Sequence, residues 1–151
     1  MLKGEMNDHL ANSITGICLS PEGTIGTALS ALERTHKEIV LIVDENRRLI
    51  GTVTDGDVRR ALLKDKTTSC PLGQVMNRSP LTGNVSMNNA DLIRYMGLHH
   101  ILQLPIVDEN GIPIGVALLG DLVQEKRLAN KAVIMAGGSG TRLWPLSRAG
   151  H

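Results

Sequence analysis

Aromatic side chains are almost missing from this chain: no Phe, one Tyr and one Trp, 1% of 151 residues. That scarcity excludes the stacking platforms of single-strand nucleic-acid binders and leaves the core to Ile, Leu, Val and Met. Cysteine is scarce too. Cys18 and Cys70 have no CxxC partner and no histidine pair at ligand spacing, so neither a zinc site nor a redox motif is indicated. Nor is there an excess of one charge, since 16 Lys and Arg stand against 15 Asp and Glu. The basic clusters Arg47-Arg48 and Arg59-Arg60 are too short to track a polyanion, so no nucleic-acid partner is expected. No apolar run reaches the roughly 18 residues of a membrane span. Glu5 and Asp8 stand where a signal peptide would need apolar residues. A soluble, cytoplasmic protein without a membrane partner is expected. With 42% hydrophobic and 21% charged residues the chain is not disordered, and its length suits one ordinary domain or two very small ones.

What is present is an internal repeat. Ile42-Val43-Asp44-Glu45-Asn46 falls on Ile106-Val107-Asp108-Glu109-Asn110 at an offset of 64 residues, the distance from Asp44 to Asp108, and the match continues without a gap. At the same offset His36 meets His100, Ile50 meets Ile114, Gly51 meets Gly115, Gly56 meets Gly120 and Asp57 meets Asp121. Each copy reads as strand, helix, strand, strand, helix. In the first, a strand over Ile14 to Leu19 precedes a helix capped by Thr24 with Ile25, Ala28, Leu29 and Leu32 at helical spacing. The apolar run Glu38 to Val43, turn chemistry at Asp44 to Arg47 and the run Leu49 to Thr54 make a hairpin, and a helix follows from about Gly56. The second copy predicts a short strand near Leu81, a helix over Asn89 to Leu98, strands over Leu102 to Val107 and Ile114 to Leu118, and a helix over Gly120 to Leu128. Units of about 60 residues bury too little surface to stand alone. An α+β fold is therefore expected in which two repeats, 14–66 and 81–130, pack as a pseudo-symmetric pair behind an N-terminal extension, 1–13. The linker, 67–80, carries Pro71, Gly73 and Pro80 around a short apolar turn at Leu72, Val75 and Met76.

Gly51-Thr52-Val53-Thr54-Asp55-Gly56-Asp57 ends a strand and opens a helix, where backbone N–H groups and the helix dipole favour an anion. Thr54 can donate its hydroxyl to a phosphate, Asp57 can take both hydroxyls of a ribose, and Arg59 and Arg60 can complete a phosphate pocket. A plainer reading stands beside it: Thr54 or Asp55 caps the helix, Asp57 adds charge to its first turn and the arginines are solvated. The second copy keeps Gly115, Gly120 and Asp121 but has Leu118 for Thr54 and Val116 for Thr52. Capping alone does not explain why the aspartate recurs. His36, His99 and His100 lack partners at metal-ligand spacing and are expected at the surface or facing phosphate, and Met76, Met87 and Met96 are expected as core filler.

From Ile14 to Leu128 the sequence resembles paired CBS domains, the Bateman module. The resemblance rests on the element order, on Leu104-Pro105-Ile106-Val107-Asp108-Glu109 and on the Gly-x-x-Thr-x-x-Asp pattern over Gly51 to Asp57. It implies two clefts for adenosine-containing ligands such as AMP, ADP, ATP or S-adenosylmethionine. In one, Asp57 would hold the ribose and Thr54 the phosphate, with Leu102 and Gln103 of the other repeat lining the adenine pocket. In the other, Asp121 is present, but Leu118 cannot donate to a phosphate. The resemblance also implies association into homodimers.

After Asn130 a different design begins. Lys131 to Ser147 reads as a strand followed by a glycine loop, Gly137-Gly138-Ser139-Gly140-Thr141-Arg142, whose backbone can approach a phosphate while the arginine supplies a fixed charge. No Gly-Lys-Ser or Gly-Lys-Thr follows, so it is not a Walker loop. The segment resembles the N-terminal signature of sugar-1-phosphate nucleotidyltransferases, with Leu143-Trp144-Pro145-Leu146-Ser147-Arg148 most similar to the mannose-1-phosphate guanylyltransferase version. In that family the loop wraps a nucleoside triphosphate, the arginine stabilises the pyrophosphate and Mg²⁺ assists. A catalytic domain needs well over 100 further residues, so 131–151 reads as the start of a truncated domain with an orphan strand at Ala132 to Met135 that frays or pairs with another sheet edge. Three functions follow in order of expectation: a regulatory nucleotide-binding pair from such an enzyme, a module that mainly dimerises it, and intrinsic catalysis, against which stands the lack of any nucleophile with a base partner.

Overall fold

A computed structural model describes residues 14–137, with side chains through residue 128. The repeats build two three-stranded sheets. In the first, β1 (Cys18–Leu19) runs parallel to β2 (Ile39–Val43), which pairs antiparallel with β3 (Leu49–Thr54); α1 (Ile25–Thr35) and α2 (Asp55–Leu63) complete the unit. The second repeats this order with β4 (Gly83–Asn84), α3 (Asn89–Leu98), β5 (Gln103–Val107), β6 (Pro113–Leu118) and α4 (Leu119–Gly137).

The unbroken apolar run of β2 follows from burial on both faces. Val40 and Ile42 face a core shared with Ile25, Ala28, Val53, Val58 and Leu72. Ile39 and Leu41, on the alternate face, pack with Ile17 and with Val116 of the second repeat. The second repeat has its own helix-on-sheet core around Leu92, Met96, Leu104 and Ile106. Three cores thus hold two small units together, and the middle one belongs to neither alone. Met96 is fully buried, while Met76 and Met87 pack at core margins, as expected for filler.

The recurring Asp-Glu-Asn turns have one local cause. Asp44 Oδ1 accepts the Asn46 and Arg48 N–H groups, both at 2.9 Å, and Asp108 Oδ1 accepts those of Asn110 and Ile112, both at 2.9 Å, the Asx geometry of a tight turn. The left-handed residue of the turn is Gly111 at φ 80 in the second copy and Arg47 at φ 64 in the first. The hairpins also touch: Leu49 N–H donates to the Gly111 carbonyl at 2.9 Å.

The linker is part of the first repeat's architecture. Asn77 exchanges two backbone bonds with Thr52, of 3.1 and 2.8 Å, covering the outer edge of β3. Gly51 suits that approach, since a Cβ there would lie 3.0 Å from the Asn77 carbonyl oxygen and 2.6 Å from Met76 Sδ. The linker carbonyls of Cys70 and Thr68 accept the Ile25 and Gly26 N–H groups, satisfying the start of α1 beside the Thr24 capping box.

Several expectations are corrected. The strand expected over Ile14 to Leu19 is confined to Cys18–Leu19, with turns over 14–17. The strand expected near Leu81 forms at Gly83–Asn84. In the first repeat Leu41 N–H donates to the Ile17 carbonyl at 2.8 Å, but the repeat-related residue is Pro105, which has no N–H to give. Pairing therefore starts only at Gly83 with Ile106. The orphan strand expected over Ala132 to Met135 is helical, because α4 runs on through Gly137. Among the described residues no strand pairs with this segment, and its backbone groups are satisfied within the helix. Gly137 of the expected loop is instead the last residue of α4, and Gly138, Gly140, Thr141 and Arg142 lie outside the described residues.

Since Leu41 is fully buried between the sheets, Leu41→Ala is expected to lower unfolding stability in urea by about 2–5 kcal/mol. Leu63→Ala, at a side chain 78% exposed, should stay within about 0.5 kcal/mol of the parent. Burial pushes the Cys18 thiol above its ordinary value, opposed by the Arg47 charge. Little thiolate forms at pH about 8, so alkylation of the folded protein should be slow at Cys18 and its rate should rise with pH later than that of a free thiol.

Candidate functional site

A cleft of about 810 Å³ opens between the repeats. Its walls are Leu29, Leu32 and Glu33 of α1, Glu38 before β2, Thr54, Asp55 and Gly56 at the β3–α2 junction, and Gln103 at the head of β5. Each is there for a structural reason. Leu29, Leu32 and Glu33 share one face of α1 by their spacing. Thr54 ends β3, whose register against β2 is fixed by the two-faced core. Gln103 begins the strand that occupies in the second repeat the place of β2 in the first. Among the described residues one side-chain hydrogen bond joins the repeats at the cleft, Gln103 Nε2 donating to Glu38 Oε2 at 2.9 Å. Glu38 stands at φ 62, a left-handed conformation that costs a non-glycine residue about 1 kcal/mol.

The junction residues are tied to one another. Asp57 Oδ2 accepts the Thr54 N–H at 2.9 Å and the Thr54 hydroxyl at 3.0 Å, while the Asp57 N–H donates to Thr54 Oγ1 at 3.4 Å. This is a reciprocal capping box. Arg60 donates to the other oxygen, Asp57 Oδ1, and Arg59 pairs with Asp55 Oδ2 at 2.6 Å. The plainer sequence reading of Thr54 and Asp57, helix capping, is thus realised in the structure. The arginines are solvated, as in that reading, with side chains 73% and 66% exposed, and also pair with the two aspartates.

Of the residues singled out from sequence, Thr54 and Gln103 come together on the cleft walls. Asp57 lies one turn into α2 and is not among the lining residues; its side chain is only 17% exposed. To take a ribose diol it must exchange Thr54 and Arg60 for the ligand. Arg59 also lies outside the lining. Leu102 is exposed and its carbonyl accepts the Leu119 N–H at 3.0 Å. Asp121 is exposed in the first turn of α4. Sequence reasoning missed Leu29, Leu32, Glu33, Glu38 and Asp55. Helical spacing marks the first three as one face, and the repeat offset marks Glu38 as the counterpart of Leu102.

That offset also exposes an asymmetry. Of the five polar wall residues, Glu33 corresponds to Gly97, and Glu38, Thr54, Asp55 and Gln103 correspond to Leu102, Leu118, Leu119 and Ile39. The pseudo-symmetric counterpart of the cleft therefore carries no polar side chain at these positions, and Ile39 and Leu118 there pack into or against the inter-sheet core. Among the described residues no group of three or more His, Cys, Asp or Glu side chains could hold a metal ion, and no described helix is long and apolar enough to cross a membrane.

Comparison with known proteins fits this geometry. The CBS domain family matches residues 11–64 and 72–127, and the Nucleotidyl transferase family matches the short segment 131–151. The CBS domain-containing protein YhcV of Bacillus subtilis is 32% identical over 105 residues, 69% of this chain and 74% of that protein. Inosine-5'-monophosphate dehydrogenase of Methanocaldococcus jannaschii is 26% identical over 116 residues, 77% of this chain but only 23% of the enzyme. Among solved structures, CBSX2 in complex with AMP superposes with a TM-score of 0.67 at 25% identity, over 82% of this chain and 96% of that one. The CBS domain pair of MJ0100 in complex with 5'-methylthioadenosine and S-adenosyl-L-methionine gives 0.68 at 22% identity, over 83% and 95%. With both repeats matched, paired sheet to sheet and opening a cleft between them, the chain belongs to the CBS domain family and forms a tandem CBS pair.

Proposed function

We propose that this CBS pair is a regulatory module that binds one adenosine-containing small molecule in the cleft between its repeats. One observation carries the reading: the fold brings Thr54 and Gly56, at the start of α2, to the same cleft as Gln103 of the other repeat. Leu29 and Leu32 offer an apolar wall to a purine, and Gln103 offers an amide to its edge. Asp57 serves the ribose once it releases its cap partners. The CBSX2 complex with AMP and the MJ0100 complex with methylthioadenosine and S-adenosylmethionine support this ligand class. The apolar counterpart positions support one occupied cleft per chain.

The match of 131–151 to nucleotidyltransferases supports a second part of the proposal. The pair precedes the catalytic domain of a sugar-1-phosphate nucleotidyltransferase and reports ligand binding to it, with Gly138, Gly140, Thr141 and Arg142 in the triphosphate loop and Mg²⁺ as its metal. The domains then run 1–13, 14–66, 67–80, 81–130 and 131–151, as in the sequence reading. A mainly dimerising module is the second reading, favoured by leucines exposed at helix ends, Leu63 by 78% and Leu98 by 73%.

Isothermal titration with AMP, ATP, S-adenosylmethionine and GTP tests the proposal. Saturable binding of an adenosine ligand, weakened about tenfold or more in Gln103→Ala, is the expected result. Binding unchanged in that variant removes the cleft from the reading, and no binding by any ligand leaves dimerisation, read as molar mass by light scattering. Thr54→Ala should also cost about 1 kcal/mol of stability through the lost cap, with Thr54→Ser retaining most of it.

A further inference from the structure

The charges around the cleft favour one kind of adenosyl ligand. Three acidic side chains, Glu33, Glu38 and Asp55, are among its walls, and no Lys or Arg is among the described residues that line it. The side-chain donors that could serve a phosphate at the mouth of α2 each have a carboxylate partner, which leaves only backbone N–H groups of the first turn to it. The Thr54 hydroxyl donates to Asp57, Arg60 donates to Asp57, and Arg59 donates to Asp55. A phosphate monoester entering here competes with Asp55 and Asp57 for those donors and adds negative charge beside Glu33 and Glu38. A neutral or cationic 5' substituent does neither.

We infer that the cleft selects adenosyl ligands whose 5' substituent is uncharged or cationic, a thioether or sulfonium, over those carrying a phosphate. The inference rests on the proposed adenosyl site and narrows its ligand class. Glu33, Glu38 and Asp55 set the selectivity through their field, and Asp55 also does so by holding Arg59 away from the ligand.

Titration of the full chain with 5'-methylthioadenosine, S-adenosylmethionine and AMP decides it. At about 0.1 M ionic strength both phosphate-free ligands should bind at least about tenfold tighter than AMP. The gap between the cationic ligand and AMP should shrink toward about 1 M, where the screening length falls to about 3 Å. The double variant Glu33→Gln, Asp55→Asn removes two charges and releases Arg59, so AMP should gain about tenfold relative to S-adenosylmethionine. AMP binding as tightly as methylthioadenosine, or a preference unmoved by the double variant, overturns the inference and leaves the adenosyl site standing. Absence of binding by all three overturns the site itself and the inference with it.

Discussion

Burial of β2 on both faces is the constraint from which the rest of the structure follows. Val40 and Ile42 need helices above them, and Ile39 and Leu41 need a second sheet below. A single repeat can supply the first and not the second. The inter-sheet core of Ile17, Ile39, Leu41 and Val116 therefore makes the tandem arrangement obligatory rather than incidental. It also fixes the register of the hairpin, since a slip by one residue would exchange the two buried faces. With the register set, β3 has to end at Thr54, and α2 has to begin at the rim where the sheets meet. The cleft is a consequence of that packing.

The two halves are alike in backbone and unlike in chemistry. Both hairpins bulge at the matching step, Ile42/Val43 and Ile106/Val107, and both turns close on an aspartate. His36 and His100 stand at φ 55 and 54 after α1 and α3, which explains their recurrence by chain geometry instead of ligand binding. Against this shared frame, the polar set Glu38, Thr54, Asp55 and Gln103 faces one cleft, and apolar residues occupy the related positions. Symmetry of fold has been kept where it holds the cores together. It has been lost where side chains meet the space between the repeats.

The junction of β3 and α2 shows how a stabilising feature and a binding feature share residues. Thr54 and Asp57 close a capping box that satisfies the first turn of α2. The same hydroxyl and carboxylate are the groups that a ribose and its 5' substituent would address. Ligand binding proposed at this junction would thus be an exchange of partners, its free energy the difference between ligand contacts and the cap they replace. Arg60, bonded to Asp57 Oδ1, takes part in that exchange, while Arg59 stays outside it, paired with Asp55.

Much of this was legible in the sequence, because its signals are local or periodic. The repeat, the strand-helix-strand-strand-helix order, the Thr24 cap, the Asp44 turn and the span of α3 all rest on spacing within a few residues, and the structure places them as expected. The start of β4 was not legible from Leu81, since it depends on the missing N–H of Pro105 in a strand more than 20 residues away. Nor was the helix over 131–137, since strand formation requires a ladder partner that local sequence does not specify. Sequence alone determined the two units and which residue types stand at the end of each hairpin. Tertiary structure alone decided that Gln103 and Glu38 meet across the repeats, that Asp57 is spent on a cap, and that the cleft is walled by carboxylates. Those facts depend on distances between segments that the chain brings together only when the sheets pack.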